Sequence, residues 1–367
     1  MFDRRLAQCF DWGLLALTAA IGIAGVITLY SAVSSDGASS QNPLFIKQLI
    51  WFGCGTVGMV VSFLFSYKTL ERWAYVIYFA CIAMLVWVLI FGKVVGGSRR
   101  WLALGPASLQ PSELVKIAVI IVLARVFAKV ANARGLTFRE LLQPMALTLI
   151  PFLLIVRQPD LGTAMVMALI AVSITIFVKI ERRTLIALVS CCTVSVPAVW
   201  FFLKGYQKQR ILTFFNPDRD PLGAGYHIIQ SKIAIGSGMI SGKGFLKGTQ
   251  NALSFLPEQH TDFIFSVLAE EWGLIGASVL ILLFLFMILW ALNIAQHCRD
   301  PFGTILSVGV TAMIFWQVFI NIGMVMGLLP VVGVTLPFIS YGGSSIITVM
   351  IGIGMLLNVS MRRFLFE

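Results

Sequence analysis

LPEQHTDFIFSVLAEEWGLIGASVLILLFLFMILWAL, Leu256 to Leu292, decides the fold. From Phe263 onward it is apolar apart from Glu270 and Glu271, and it exceeds the roughly 20 residues that carry an α-helix across a bilayer. Glu258, Asp262, Glu270 and Glu271 gather around its start. Loss of water drives a carboxylate towards its neutral form unless cations or hydrogen bonds compensate, so ionisable groups this close to lipid mark a functional site.

Composition extends that reading to the whole chain. Of 367 residues, 59% are hydrophobic and 12% charged, with a mean hydropathy of +0.93, which excludes an ordinary soluble domain. Ten apolar spans are predicted: Gly13–Ala32, Leu49–Phe65, Ala74–Phe91, Ser112–Phe127, Leu147–Val156, Thr163–Val178, Thr184–Leu203, Phe263–Leu292, Thr304–Met326 and Ser344–Asn358. The fifth is short because Pro144 and Pro151 interrupt the helical pattern. The first is longer than a signal-peptide core and is read as a retained span. No internal repeat separates the chain into units, so residues 1–367 are read as a single all-α polytopic membrane domain.

Orientation follows from the basic residues of the short loops. With ten spans, Arg4, Arg5, Lys68, Arg72, Lys129, Arg134, Arg139, Lys179, Arg182, Arg183, Arg299, Arg362 and Arg363 fall on one side, which the positive-inside rule makes cytoplasmic together with both termini. Lys47, Lys93, Arg99, Arg100, Arg157, Lys204, Lys208, Arg210, Arg219, Lys232, Lys243 and Lys247 remain outside, where topology does not call for them. They suit anionic headgroups or a phosphorylated substrate, or are plain solvated charges. The net charge of +11 mixes both pools and does not imply nucleic acid. The six cysteines lie in spans or on the inner side, which argues against a disulfide framework, and the three histidines are too scattered for a three-histidine metal site.

Four stretches carry candidate chemistry. In GGSRRWLALGPASLQPSELVK, Gly96 to Lys116, the glycines and Pro106 predict an irregular outer loop whose Arg99 and Arg100 form a guanidinium pair suited to pyrophosphate, or an interfacial anchor beside Trp101. Glu113 and Lys116 follow on one helix face as a structural or coupling ion pair. In RQPDLGTA, Arg157 to Ala164, Asp160 sits at a helix N-cap position or serves a ligand. The outer segment of about 204–262, between spans seven and eight, holds Tyr226, Ile229 and Ile233 at the spacing of an interfacial amphipathic helix. In NIGMVMGLLPVVGVTLPFISYGGSS, Asn321 to Ser345, Pro330 and Pro337 predict a re-entrant break before span ten. The Gly342 to Ser345 backbone there serves an anion site or a plain cap.

These strings, with NPDRDPLGAGYH, GKGFLKGTQ, LPEQHTDFIF, AEEWG and GVTLPFISYGGSS, resemble the shape, elongation, division and sporulation family of bacterial membrane proteins. The short N-terminus, Gln259 and Trp272 resemble its rod-shape branch. The resemblance implies a peptidoglycan glycosyltransferase of the bacterial inner membrane that polymerises lipid II on the periplasmic face. It also implies release of undecaprenyl pyrophosphate and work alongside a class B penicillin-binding protein and other elongation proteins such as MreC and MreD. The family's catalytic carboxylate matches Asp262, and Arg99, Glu113, Lys116 and Asp160 match family-important positions. The expected substrate-binding set is Arg99, Arg100, Asp160, Gln230, Ser231, Lys243 and Ser344, with Asp262 and Glu258 as ligands should a divalent cation, Mg or Mn, take part. A lipid-linked sugar flippase and a non-catalytic scaffold for a penicillin-binding protein are the alternatives.

Overall fold

Each predicted span becomes a helix, and the helices differ mainly in how much lipid they face. The computed structural model describes residues 10–34, 43–95, 98–104, 107–130, 135–202, 205–216, 220, 223–252 and 259–362. Helices α1 (Trp12–Ser34), α2 (Pro43–Leu64) and α3 (Tyr67–Phe91) lead into a small sheet, followed by α4 (Pro111–Val130), α5 (Phe138–Arg157), α6 (Leu161–Phe177) and α7 (Arg182–Phe202). The outer segment holds α8 (Gly205–Phe215), α9 (Ala224–Ser237) and the one-turn α10 (Thr249–Ala252). The long α11 (Ile264–His297), α12 (Pro301–Val325) and α13 (Gly343–Arg362) complete the bundle. Among the described residues seven helices, α1, α2, α3, α5, α11, α12 and α13, are long and apolar enough to cross a bilayer, as expected of a multi-pass membrane protein.

The centre belongs to α4, most of whose residues are buried, and to the last two helices. The most apolar stretch of α13 is 89% buried and that of α12 78%, against 17% for α2 and 22% for α3 and α11. Lipid tails are as apolar as leucine, so close contact rather than the hydrophobic effect must join such helices, and small residues permit it. Gly354 of α13 lies so near the Met59 carbonyl of α2 that a Cβ has no room. A Cβ on Gly55 would stand 3.0 Å from Met350 Cγ.

Two expectations need correction. The Gly96 to Lys116 stretch is not merely irregular: β1 (Lys93–Val95), β2 (Ser98–Leu104) and β3 (Ala107–Leu109) pair antiparallel in that order, a small sheet within the helical fold. Arg99 faces Val94 and Leu102 faces Leu109 across its ladders. Pro144 and Pro151 do not shorten the fifth span, because α5 runs unbroken through both. Helix α9 buries Ile228, Ser231, Ala234 and the following Gly238 in the protein, and leaves Tyr226 and Ile229 half-buried and Ile233 46% exposed. Its neighbours are α11 and α12, whose polar atoms attract the serine: Ser231 Oγ lies 2.8 Å from Ser266 Oγ and donates to the Val325 carbonyl at 2.6 Å.

Between α12 and α13 the chain stays irregular, and within it Leu336 to Ser340 are buried. Phe338 and Ile339 press their backbone against Gly25, nine residues inside α1 from Ser34, or about 13 Å along its axis. Gln48 of α2 donates to the Ser340 carbonyl at 3.0 Å, and Ser340 Oγ accepts from the Leu336 amide at 2.8 Å, so buried backbone groups there find partners.

Candidate active site

Four helices start at one cavity. It measures about 520 Å³, and its lining includes Glu113 and Lys116 of α4, Asp160 and Thr163 at the start of α6, His260 to Asp262 just before α11, and Gly343 to Ser345 at the start of α13. Each helix N-terminus carries about half a positive charge and unsatisfied N–H groups, so the convergence favours an anion. Arg100 of β2 and Arg210 of α8 add cations to the wall, and Trp51 and Trp101 add aromatic surface.

A hydrogen-bonded shelf organises one side. Asp160 caps α6 by accepting from the Thr163 amide at 3.2 Å, and its other oxygen accepts from Gln110 Nε2 at 2.8 Å and Ser112 Oγ at 3.4 Å. Ser344 Oγ accepts from the Gln110 amide at 2.8 Å, tying α13 to the start of α4. Asp160 is therefore both a helix cap and a cavity wall. Lys116 Nζ reaches both Glu113 oxygens at 2.9 Å with each residue buried, an arrangement in which losing one partner costs about 3–5 kcal/mol.

The two arginines do not act as a pair. Successive residues of a strand point to opposite faces, so Arg100 enters the cavity wall while Arg99 lies exposed and donates to the Ile90 carbonyl at 3.3 Å. Arg100 donates from Nε to the Gln158 carbonyl at 2.9 Å and from Nη2 to the Pro159 carbonyl, which fixes its guanidinium plane over the end of α5.

Asp262 stands opposite the irregular segment. It immediately precedes Phe263, the N-cap of α11. Its Oδ2 lies where a Cβ on Gly333 would come within 3.3 Å, and Gly333 has φ 72°, a conformation that suits glycine. Tyr341 also lines this side, and burial pushes its phenol above its ordinary range.

With this geometry in place, comparison with known proteins becomes specific. Residues 9–364 match the family model FTSW_RODA_SPOVE, described as cell cycle protein. The chain belongs to this family. As a member, it is 43% identical over 92% of its length to peptidoglycan glycosyltransferase MrdB of Escherichia coli K12, covering 91% of that protein. It is 38% identical over 95% to stage V sporulation protein E of Bacillus subtilis, covering 96% of it. Among solved structures, a chain from work entitled "Structural coordination of polymerization and crosslinking by a peptidoglycan synthase complex" matches with a TM-score of 0.81 and 32% identity, over 97% of this chain and 98% of that one. The rod shape determining protein RodA of Thermus thermophilus matches with a TM-score of 0.72 and 29% identity, over 97% and 98%.

The FtsW/RodA/SpoVE member thus gathers Arg100, Glu113, Lys116, Asp160, Asp262 and Ser344 on one cavity. Gln230, Ser231 and Lys243 lie elsewhere. Gln230 and Ser231 sit on α9, and Lys243 pairs with the fully buried Glu270 at 2.6 Å. Glu270 also accepts from the Thr249 amide at 2.8 Å, while Glu271 accepts from Ser31 Oγ, so these two carboxylates staple the outer segment and α1 to the top of α11. Glu258 lies outside the described residues. Among the described residues no three His, Cys, Asp or Glu side chains gather as metal ligands. Sequence reasoning missed Gln110, which reads as an unremarkable polar residue ahead of a proline, and did not separate Arg210 from the other outer cations.

Proposed function

We propose that this chain is a peptidoglycan glycosyltransferase that polymerises lipid II into β-1,4-linked strands, with Asp262 as general base. The observation that carries this reading is the Asp262 carboxylate and the cationic Arg100 and Arg210 on the wall of one cavity where helix N-termini converge, with Lys116 paired to Glu113 and Asp160 capping α6. Lipid II holds its sugar α-linked to pyrophosphate, and a β-1,4 product inverts that centre. The acceptor 4-hydroxyl must attack from the face opposite the leaving group. Asp262 takes the hydroxyl proton as the new C1–O4 bond forms and the C1–O–phosphate bond breaks, a role worth typically about 10²–10⁴-fold. The electron pair leaves on undecaprenyl pyrophosphate, whose charge is met by Arg100, Arg210 and the helix N-termini, preorganised donors of the kind that lower a barrier most.

Lys116 is held by Glu113, so it tunes the wall rather than acting as a free cation. A divalent cation, Mg or Mn, would be held by Asp262 and Glu258 and would add positive charge against the pyrophosphate, and no step above passes through it.

The ten apolar helices are read as ten spans with both termini cytoplasmic, the irregular stretch after α12 as re-entrant, and the cavity as facing the periplasm of the bacterial inner membrane. The crosslinking partner is a class B penicillin-binding protein. A flippase would keep its substrate groups near mid-membrane, whereas Glu113, Asp160, Asp262 and Ser344 all sit at helix starts.

The test is lipid II polymerisation by the purified chain, alone and with its cognate penicillin-binding protein blocked at its own active site. Wild type yields glycan strands, and a folded, partner-binding Asp262→Asn yields none. Equal product from both removes Asp262 as base; no product from either points to transport or scaffolding.

A further inference from the structure

Asp262 sits on a short turn, Gln259 to Asp262, that belongs to neither helix nor sheet. Nothing regular fixes such a backbone, yet a general base must be held within about half an ångström of its working position. Three consecutive carbonyls of this turn are held from one side. His260 O accepts from the Tyr341 amide at 2.8 Å, Thr261 O accepts from Ser340 Oγ at 2.6 Å, and Asp262 O accepts from Asn321 Nδ2 at 3.0 Å. Asn321 Nδ2 also donates to the Val334 carbonyl at 2.7 Å, so one amide ties the Asp262 turn to the irregular segment that runs past its carboxylate at Gly333. Asn321 is fully buried and Ser340 is 2% exposed.

We infer that Asn321 and Ser340 are positioning residues that set the Asp262 carboxylate against the acceptor hydroxyl, by clamping its turn to the irregular segment. The inference rests on the proposed role of Asp262 as base. Neither side chain is among the residues lining the cavity, so neither touches substrate. Both act through the turn. Asn321 is suited to this by having two N–H donors on one nitrogen for two carbonyls, and Ser340 by donating to Thr261 O while accepting from the Leu336 amide.

The experiment measures kcat and the KM for lipid II of the full chain with its blocked partner, for wild type, Asn321→Leu, Ser340→Ala and Asp262→Asn, beside the thermal midpoint of each. Asn321→Leu keeps the number and branching of side-chain heavy atoms while removing both N–H donors, and Ser340→Ala removes a single oxygen. A misplacement near 1 Å costs about 10²-fold, so both should lower kcat by about 10–100-fold, leave KM within about twofold and keep a midpoint close to wild type. The inference is overturned if kcat of both stays within about threefold of wild type, if KM rises in proportion, or if the losses of rate follow losses of thermal midpoint. Wild-type turnover by Asp262→Asn would instead remove the base itself, whatever the other two variants do.

Discussion

Two stretches of this chain carry two prolines seven residues apart and fold differently. Pro144 and Pro151 lie inside the continuous helix α5, while Pro330 and Pro337 lie in the irregular segment between α12 and α13. A proline removes the amide that would bond to the carbonyl four residues earlier, and in a membrane the freed group needs another partner. For Pro151 that carbonyl belongs to Leu147, and Tyr78 of α3 donates to it at 2.9 Å. Helix α5 also starts on a capping box, with Glu140 accepting from the Thr137 amide at 2.7 Å and hydroxyl at 2.8 Å, and it contains no glycine. The other segment has Gly327 at φ 68° and Gly333 at φ 72°, neither of which a right-handed helix accommodates. Proline alone therefore does not decide between scaffold and site. Glycine in left-handed conformations and the partner offered to each freed carbonyl decide it.

The comparison is broken most severely at Gly333. Gly333→Ala adds a Cβ 3.3 Å from Asp262 Oδ2 and forces alanine to φ 72°, a strain of about 1–3 kcal/mol, so polymerisation should fall at least about tenfold. Polymerisation assays read this directly, and a rate within twofold of wild type would show that the segment's backbone does not govern the carboxylate. Tyr78→Phe should lower unfolding stability by about 1 kcal/mol with kcat unchanged, since hydrogen bonds in membrane bundles average about 0.6 and reach about 1.7 kcal/mol. A loss of activity without loss of stability would contradict the scaffold role of α5. In the irregular segment Ile339 N donates to the Leu336 carbonyl at 3.2 Å across a tight turn with Pro337 second and Phe338, at φ 64°, third. Pro337→Ala should cost about 0.4–1 kcal/mol by loosening the unfolded chain, and circular dichroism should show no gain of helix. The smallest effect sharpens the explanation itself: Pro151→Ala restores the amide to Leu147, so Tyr78→Phe on that background should cost less than about 0.5 kcal/mol, read as a double-mutant cycle.

Much of this was legible in the sequence because lipid imposes one rule on every span. Long apolar runs have no alternative to helix, and Asp160, Glu113, Lys116 and the group of Glu258, Asp262, Glu270 and Glu271 stood out because charge beside such runs is costly, while the family resemblance singled out Asp262 among the last four. Side-chain direction was not legible where the local period was unknown. Arg99 and Arg100 read as a pair in a loop but point apart once they lie on a strand. The protein-facing side of α9, where Ser231 meets the Ser266 hydroxyl and the Val325 carbonyl, was not legible either. Partners far along the chain, Tyr78 for Leu147 or Gln110 for Asp160 and Ser344, leave no local trace.

The enclosure of α13, 89% buried in its most apolar stretch, bears on how the molecule is made. During synthesis the other spans enter the bilayer first, around a vacancy that only the final described helix fills. Until then Gly55 and Gly58 of α2 meet lipid instead of Met350 and Ile351, and the rim of the cavity lacks Ser344 and Ser345. The cavity is therefore completed only when α13 packs into place, after the helices that surround it.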